Sequence, residues 1–274
     1  MTDDLLRSID AYLDGIARAA TRAEAIGPFT LFVRETPGWP YYARPTPGAT
    51  GFTLADVEAV RARQRALGIP ETFELVVDLS PGATEAIAAT GLPVTSRPLM
   101  AMTASAFRPV PLPEGASIRW PDADDPDLAR MMVVQELGFG APGTEVGDAG
   151  AREREDALPR LDRDRLDSAR RMIAANRTVT ASLFLDGGPV ATGAHQPLDG
   201  ATEVVGVATL PAYRRRGLAA ALTSALVEDA LARGVTLVCL SAGDEDVARV
   251  YERVGFRRVG TFADAEPRDQ PEGQ

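Results

Sequence analysis

Lysine is absent: every one of the 29 basic residues in this 274-residue chain is arginine. That removes Schiff-base chemistry and the phosphate-binding lysine of a P-loop together. The single cysteine, Cys239, excludes a disulfide framework and a cysteine metal site. The single histidine, His195, excludes zinc sites built on His and Cys, and no metal is called for. No apolar run approaches the roughly 18 residues of a membrane span, so no membrane partner is expected. The opening residues MTDDLLRSIDAYLDG lack the basic start and apolar centre of a secretion signal. The expected compartment is therefore the cytoplasm, and Asn176-Arg177-Thr178 is a chance match to a glycosylation acceptor. Acid, by contrast, is plentiful. With 39 Asp and Glu against 29 Arg the net charge is −10, which argues against a general nucleic-acid binder and favours small or cationic partners.

The Pro-rich stretch RPVPLPEGAS (Arg108 to Ser117) suits neither a helix nor a central strand, and divides the chain into two halves. In the first half the patterning predicts a helix over Asp3 to Ala20 and strands at Phe29 to Glu35 and Tyr41 to Pro45. A helix in TLADVEAVRARQRAL follows, stopped by Gly68. A strand in TFELVVDL comes next, then a short helix with Ser80 as its cap and Pro81 at its first position, and a last strand in RPLMAMTA. The second half starts with a strand at Ser117 to Trp120 and a helix in DDPDLARMMVVQELG. A charged segment then splits at Pro159, and a hairpin turns at Asp186-Gly187-Gly188. The hexapeptide GFGAPG (Gly138 to Gly143) spells a dinucleotide-binding pattern, but it follows a helix rather than a strand and is read as a loop.

The informative stretch is TLPAYRRRGLAAAL, Thr209 to Leu222. A strand over Glu203 to Leu210 ends at Pro211, and from Gly217 to Arg233 the pattern is helical, with Leu218, Leu222, Leu226 and Leu231 near one face. The connection therefore delivers unpaired backbone N–H groups and the positive end of a helix dipole to one place. Such a terminus binds anions. Gly217 and Ala219 keep the backbone bare, the neighbouring arginines add fork-shaped donors, and a diphosphate is the expected ligand.

These residues resemble the GCN5-related N-acetyltransferases. The family's R/Q-x-x-G-x-G/A loop is matched by Arg214, Gly217 and Ala219, and its A-x-x-x-Y-x-x-x-G-F pattern by Val250-Tyr251, Gly255 and Phe256, with Ala248 three residues before the tyrosine instead of four. The resemblance is clear from Val204 to Thr261 and looser from Ser117 to Glu203. It implies an α/β fold with a mixed central β-sheet flanked by helices, and acetyl-CoA as co-substrate. The diphosphate of CoA would sit on Arg214, Arg215, Arg216, Gly217, Leu218, Ala219 and Ala220. The pantetheine arm would lie along Val207, Ala208 and Thr209, a position where the family commonly has an apolar residue instead of Thr209. Tyr251 would protonate the departing thiolate, since a phenol is a neutral donor at pH 7. Glu203, His195 or a water relay would take the proton of the incoming amine. Asp244 reads first as a helix N-cap and Cys239 as core.

The order strand, helix, strand, helix, strand over residues 22 to 104 echoes the second half without an Arg-x-x-Gly loop. It is read as a degenerate second copy, with an unrelated lid domain as the alternative. The expected domains are a GNAT-like domain at 1–110, a linker at 111–116, a catalytic domain at 117–265 and a disordered tail at 266–274. The expected activity is transfer of an acetyl or other acyl group to a primary amine of a small molecule or peptide; whether the chain forms a homodimer is left open. A non-catalytic acyl-CoA sensor or interaction module is the alternative of another class, and a structural remnant is disfavoured by the intact glycine loop.

Overall fold

The computed structural model describes residues 2–34 and 42–267. The expected strand residues Glu35 and Tyr41 and most of the expected tail lie outside them. The chain divides into two compact units, residues 1–99 with 259–274, and residues 100–258.

In the first unit, helix α1 (Thr2–Ala20) buries Leu6, Ile9, Leu13 and Ala17 at helical spacing. Strands β1 (Arg22–Ile26) and β2 (Phe29–Val33) form an antiparallel hairpin through Gly27-Pro28. Strand β1 has no counterpart in the sequence reading, because RAEAI carries neither β-branched alternation nor a bulky residue before Ile26. Strand β3 (Tyr42–Pro45) pairs antiparallel with β2, and β4 (Phe73–Val76) lies parallel to β3.

Between them, helix α2 (Leu54–Leu67) starts at Thr53 and stops at Gly68, whose φ of 65° only glycine adopts freely. Helix α3 (Ala83–Ala88) corrects the expectation of a Ser80 cap. Its N-cap is Gly82, left-handed at φ 85°, and the Ser80 amide closes a 3-10 turn onto the Val77 carbonyl instead. Strand β5 (Val94–Thr103) follows, with its residues up to Leu99 in this unit. Phe29, Leu31, Val57, Phe73, Leu75 and Ile87 form the core.

The second unit contains β6 (Ser117–Arg119), α4 (Leu128–Phe139), α5 (Ala151–Ala157), α6 (Arg163–Ala174), β7 (Val179–Leu185) and β8 (Gly188–Leu198). After them come β9 (Ala201–Thr209), α7 (Leu218–Ala232), β10 (Leu237–Ser241) and α8 (Glu245–Glu252). Strands β6, β7, β8 and β9 are antiparallel neighbours in that order, and β10 joins β9 in parallel. Helix α7 is not the amphipathic helix that its leucines suggest. Ala220, Ala221, Thr223, Ser224 and Val227 are buried along with Leu218, Leu222 and Leu226, so it is enclosed on most sides. Each fully buried leucine contributes about 1.5–3 kcal/mol. The final strand, β11 (Arg257–Ala265), returns to the first unit, where Phe262–Ala265 pair antiparallel with β4.

Candidate functional site

Strand β9 carries the first part of the site. It pairs with β10 only at Ala201, Thr202 and Glu203, opposite Leu237, Val238 and Cys239. No register pair with β10 follows Glu203, so the β9 edge over Val204 to Thr209 is not paired to β10. On the other side, Thr192 faces Ala208 while Ala194 faces Val205, so β9 carries one extra residue. This is a β-bulge. It is centred on Gly206, which adopts φ 64°. An added Cβ there would overlap Nε2 of Gln135, the α4 side chain that donates to the Gly206 carbonyl at 3.4 Å.

The chain leaves β9 through Leu210, whose amide donates to the Val190 carbonyl, and a 3-10 turn begins at Pro211. Two left-handed residues follow, Arg215 at φ 65° and Gly217 at φ 76°. Helix α7 then begins at Leu218 with no side-chain cap and no acidic residue in its first turn. Its first internal bond runs from the Ala221 N–H to the Gly217 carbonyl at 3.1 Å. The amides of Leu218, Ala219 and Ala220 thus have no helical acceptor, and Arg215, Arg216 and Gly217 are exposed. Alternation of left-handed and right-handed residues turns successive amides to one side, forming a concavity for anions. Arg216 stacks on the Tyr213 ring, 5.0 Å from its centroid.

Arg214 is engaged differently. One terminal nitrogen donates to the carbonyls of Gly138 (2.7 Å) and Ala141 (2.6 Å), the other to that of Glu145 (3.2 Å), and Nε reaches the Thr209 carbonyl at 3.4 Å. Burial draws its pKa below the ordinary value. Gly138, the first residue of the GxGxxG-like hexapeptide, lies in α4 against β9, where an added Cβ would stand 2.8 Å from that of Ala208. The pattern is therefore a helix end and a loop.

Tyr251 lies on α8, 8% exposed, with its ring edge-on to Phe256. Burial pushes its hydroxyl up to about 12, so it stays a protonated phenol throughout the neutral range. Asp244 caps α8 by accepting from the Val247 amide at 2.8 Å, and Cys239 is buried in β10, both as expected. Glu203 sits at the last β9–β10 register pair.

His195 is fully buried, with Nε2 2.8 Å from Asp229 and Nδ1 3.2 Å from the Thr202 hydroxyl. Asp229 lies eleven residues along α7 from Leu218, about 16 Å along the axis at 1.5 Å per residue. That places His195 toward the opposite end of the helix from the Arg215–Gly217 turn. The bulge, the Gln135 contact and the Arg214 cage went unread in the sequence; only the isolated Gly206 between valines gave a signal for the first.

The first unit also has a parallel strand pair joined by a helix, and there side chains fill the space. Strands β3 and β4 share one register pair, Ala43 with Phe73, and the next residues along are Arg44 and Glu74. The Arg44 guanidinium is buried, 3.0 Å from Asp10 and 3.7 Å from Glu74. At the start of α2 the Asp56 amide donates to the Thr53 hydroxyl, and the Asp56 carboxylate accepts from the Thr53 amide at 3.0 Å. A capping box with its own carboxylate thus occupies a helix terminus of the kind that α7 leaves open.

The bulged strand, the partly paired parallel strands and the uncapped helix after an Arg-Gly turn belong to a mixed α/β fold that solved acetyltransferase structures share. Residues 148–256 match the acetyltransferase (GNAT) family. Among solved structures, a GCN5-related N-acetyltransferase from Kribbella flavida is 25% identical over 96% of this chain and 95% of its own, with a TM-score of 0.70. Another from Sphaerobacter thermophilus is 20% identical over 89% and 78%, with a TM-score of 0.53. A tandem GNAT protein from the clavulanic acid biosynthesis pathway is 18% identical over 88% and 79%, with a TM-score of 0.55. No curated protein matches the sequence. Among the described residues, no helix is long and apolar enough to cross a membrane.

Proposed function

We propose that the chain is an acetyl-CoA-dependent N-acyltransferase acting on a primary amine of a small molecule or peptide. The observation that carries this reading is the open terminus of α7: unpaired amides from Leu218 to Ala220, joined by Arg215, Arg216 and Gly217, directly follow a strand edge not paired to β10. A diphosphate suits the first feature and a chain of amides, such as pantetheine, suits the second. Residues Val207, Ala208 and Thr209 supply that edge.

The remaining residues fit acyl transfer. As the amine nitrogen bonds to the thioester carbonyl carbon, a backbone N–H of the bulged strand receives the oxyanion that develops there. When the carbon–sulfur bond breaks, Tyr251 gives its proton to the departing thiolate. The proton lost by the amine passes to Glu203, directly or through water. His195 does not suit that task, because both of its ring nitrogens are held by Asp229 and Thr202. The first unit serves as a degenerate copy without its own ligand, since Arg44, Glu74, Thr53 and Asp56 fill the matching features with side chains.

An amine screen that follows CoA release, run on wild-type protein and on Tyr251→Phe, tests the reading. Turnover that Tyr251→Phe reduces while acetyl-CoA binding persists is the expected result. Binding without turnover on any amine would favour the acyl-CoA sensor instead.

A further inference from the structure

Arg214 is the first residue of the loop motif, and a charge contact to phosphate would be its simplest use. Its surroundings point elsewhere. All four of its hydrogen-bond partners are neutral backbone carbonyls: Thr209 at the end of β9, Gly138 at the end of α4, and Ala141 and Glu145 in the segment beyond. Two backbone bonds tie the same segment to the same turn, from the Gly147 amide to the Pro211 carbonyl and from the Ala212 amide to the Ala149 carbonyl. The next residue, Arg215, holds a left-handed φ of 65°, which a non-glycine residue keeps only when its neighbours fix it. Within the segment so held, Phe139 and Val146 are 51% and 59% exposed, large apolar side chains left facing solvent.

We infer that Arg214 is a positioning residue. Its guanidinium fastens the 138–147 segment to the end of β9 and thereby fixes the left-handed turn that aims the amides of residues 215–220, without itself touching the ligand. The inference rests on the acyl-CoA reading for what the turn binds, while the fastening stands on the protein's own hydrogen bonds. A planar fork with five donors can serve four carbonyls around it; a lysine ammonium, a point donor on a flexible stem, cannot. The turn and the segment carrying Phe139 and Val146 therefore tighten or loosen as one.

The test compares full-length wild type, Arg214→Lys, Arg214→Gln and Arg215→Gln, each checked for a native circular dichroism spectrum. Amide hydrogen exchange over residues 139–147 without ligand, and acetyl-CoA titration at two ionic strengths, are the two readouts. Exchange at Gly147 and its neighbours should rise at least tenfold in both Arg214 variants and stay at the wild-type rate in Arg215→Gln. Acetyl-CoA affinity should fall in Arg214→Lys as much as in Arg214→Gln, with the salt dependence of binding unchanged. Arg215→Gln should reduce that salt dependence. If Arg214→Lys keeps wild-type exchange and affinity, or if the Arg214 variants lose affinity only through the salt-dependent part, Arg214 is a charge contact and the inference is overturned. Failure of wild type to bind acetyl-CoA would sink the acyl-CoA reading instead, and the exchange readout would still decide the fastening.

Discussion

Nε2 of His195 lies 2.8 Å from a carboxylate oxygen of Asp229, and the imidazole is fully buried between β8 and α7. Arg233 holds the same carboxylate at 2.5 Å. Burial lowers the His195 pKa and outweighs the opposing pull of Asp229. The folded state therefore holds fewer protons than the unfolded state near the imidazole's ordinary value of about 6.5. The sign follows directly: the contribution of neutral His195 to stability is complete above about pH 6.5 and is lost as the pH falls through that value toward the folded pKa.

His195→Gln should cost about 2–3 kcal/mol at pH 8, because Asp229 and the Thr202 hydroxyl lose a shaped partner. It should also remove up to ~1.4 kcal/mol per pH unit from the acid-side slope of stability just below pH 6.5. Urea unfolding at several pH values measures both. A wild type that gains stability relative to His195→Gln on acidification would contradict the assignment.

Gly206→Ala forces a side chain into the left-handed region and against the Gln135 amide, at the bulge itself. The expected loss is about 1–2 kcal/mol of stability. Acetyl-CoA affinity should fall on the order of tenfold, a change of about 1.4 kcal/mol. Thermal unfolding and calorimetric titration check the two separately, and unchanged binding would mean that the bulge does not present the ligand's strand edge.

Thr209 supplies a contrasting case. Its hydroxyl is buried and has no hydrogen-bond partner. Thr209→Val removes that unsatisfied group at nearly constant volume and should stabilise the fold by about 1 kcal/mol. Acetyl-CoA affinity should stay within about twofold if the backbone is what the ligand meets. A large loss of affinity would show that the hydroxyl is itself a ligand contact.

Tyr251→Phe should leave stability within about 0.5 kcal/mol of wild type. Turnover with any amine found in the screen should fall by about 10²-fold. Because burial holds the hydroxyl up to about 12, the wild-type rate should show no break from this group between pH 6 and 9. An undiminished rate in the variant would remove Tyr251 from the chemistry.

Local signals in the sequence were sufficient where a backbone rule operates alone. Pro211 ends β9, Gly217 opens α7, Asp244 caps α8 and Gly68 closes α2, and each can be read from residue type and position. The features that went unread are products of tertiary contact. Gln135 on the Gly206 carbonyl and Arg214 on the Gly138 and Ala141 carbonyls join residues some seventy positions apart, which no local pattern encodes. Helix α7 misled for a related reason: Ala220, Ala221 and Ala230 are as deeply buried as Leu218, Leu222 and Leu226, so periodicity understated how far it is enclosed. The return of β11 to pair with β4 was equally invisible, since a strand's partner is set by the whole fold. At the site, the turn into α7 was legible from RRRGLA, whereas the placement of His195 away from it needed the Asp229 contact.

The most direct measurement is calorimetric titration of acetyl-CoA into wild type, Gly217→Ala and Gly217→Glu. Gly217 sits at φ 76° with open space around its α-carbon, so the alanine variant isolates backbone strain and the glutamate variant adds a carboxylate at the helix terminus. Wild type should bind one acetyl-CoA per chain, since the start of α2 in the first unit is already capped by Thr53 and Asp56. The alanine variant should bind more weakly and the folded glutamate variant not detectably. No binding to folded wild type, or equal binding to Gly217→Glu, would contradict the account.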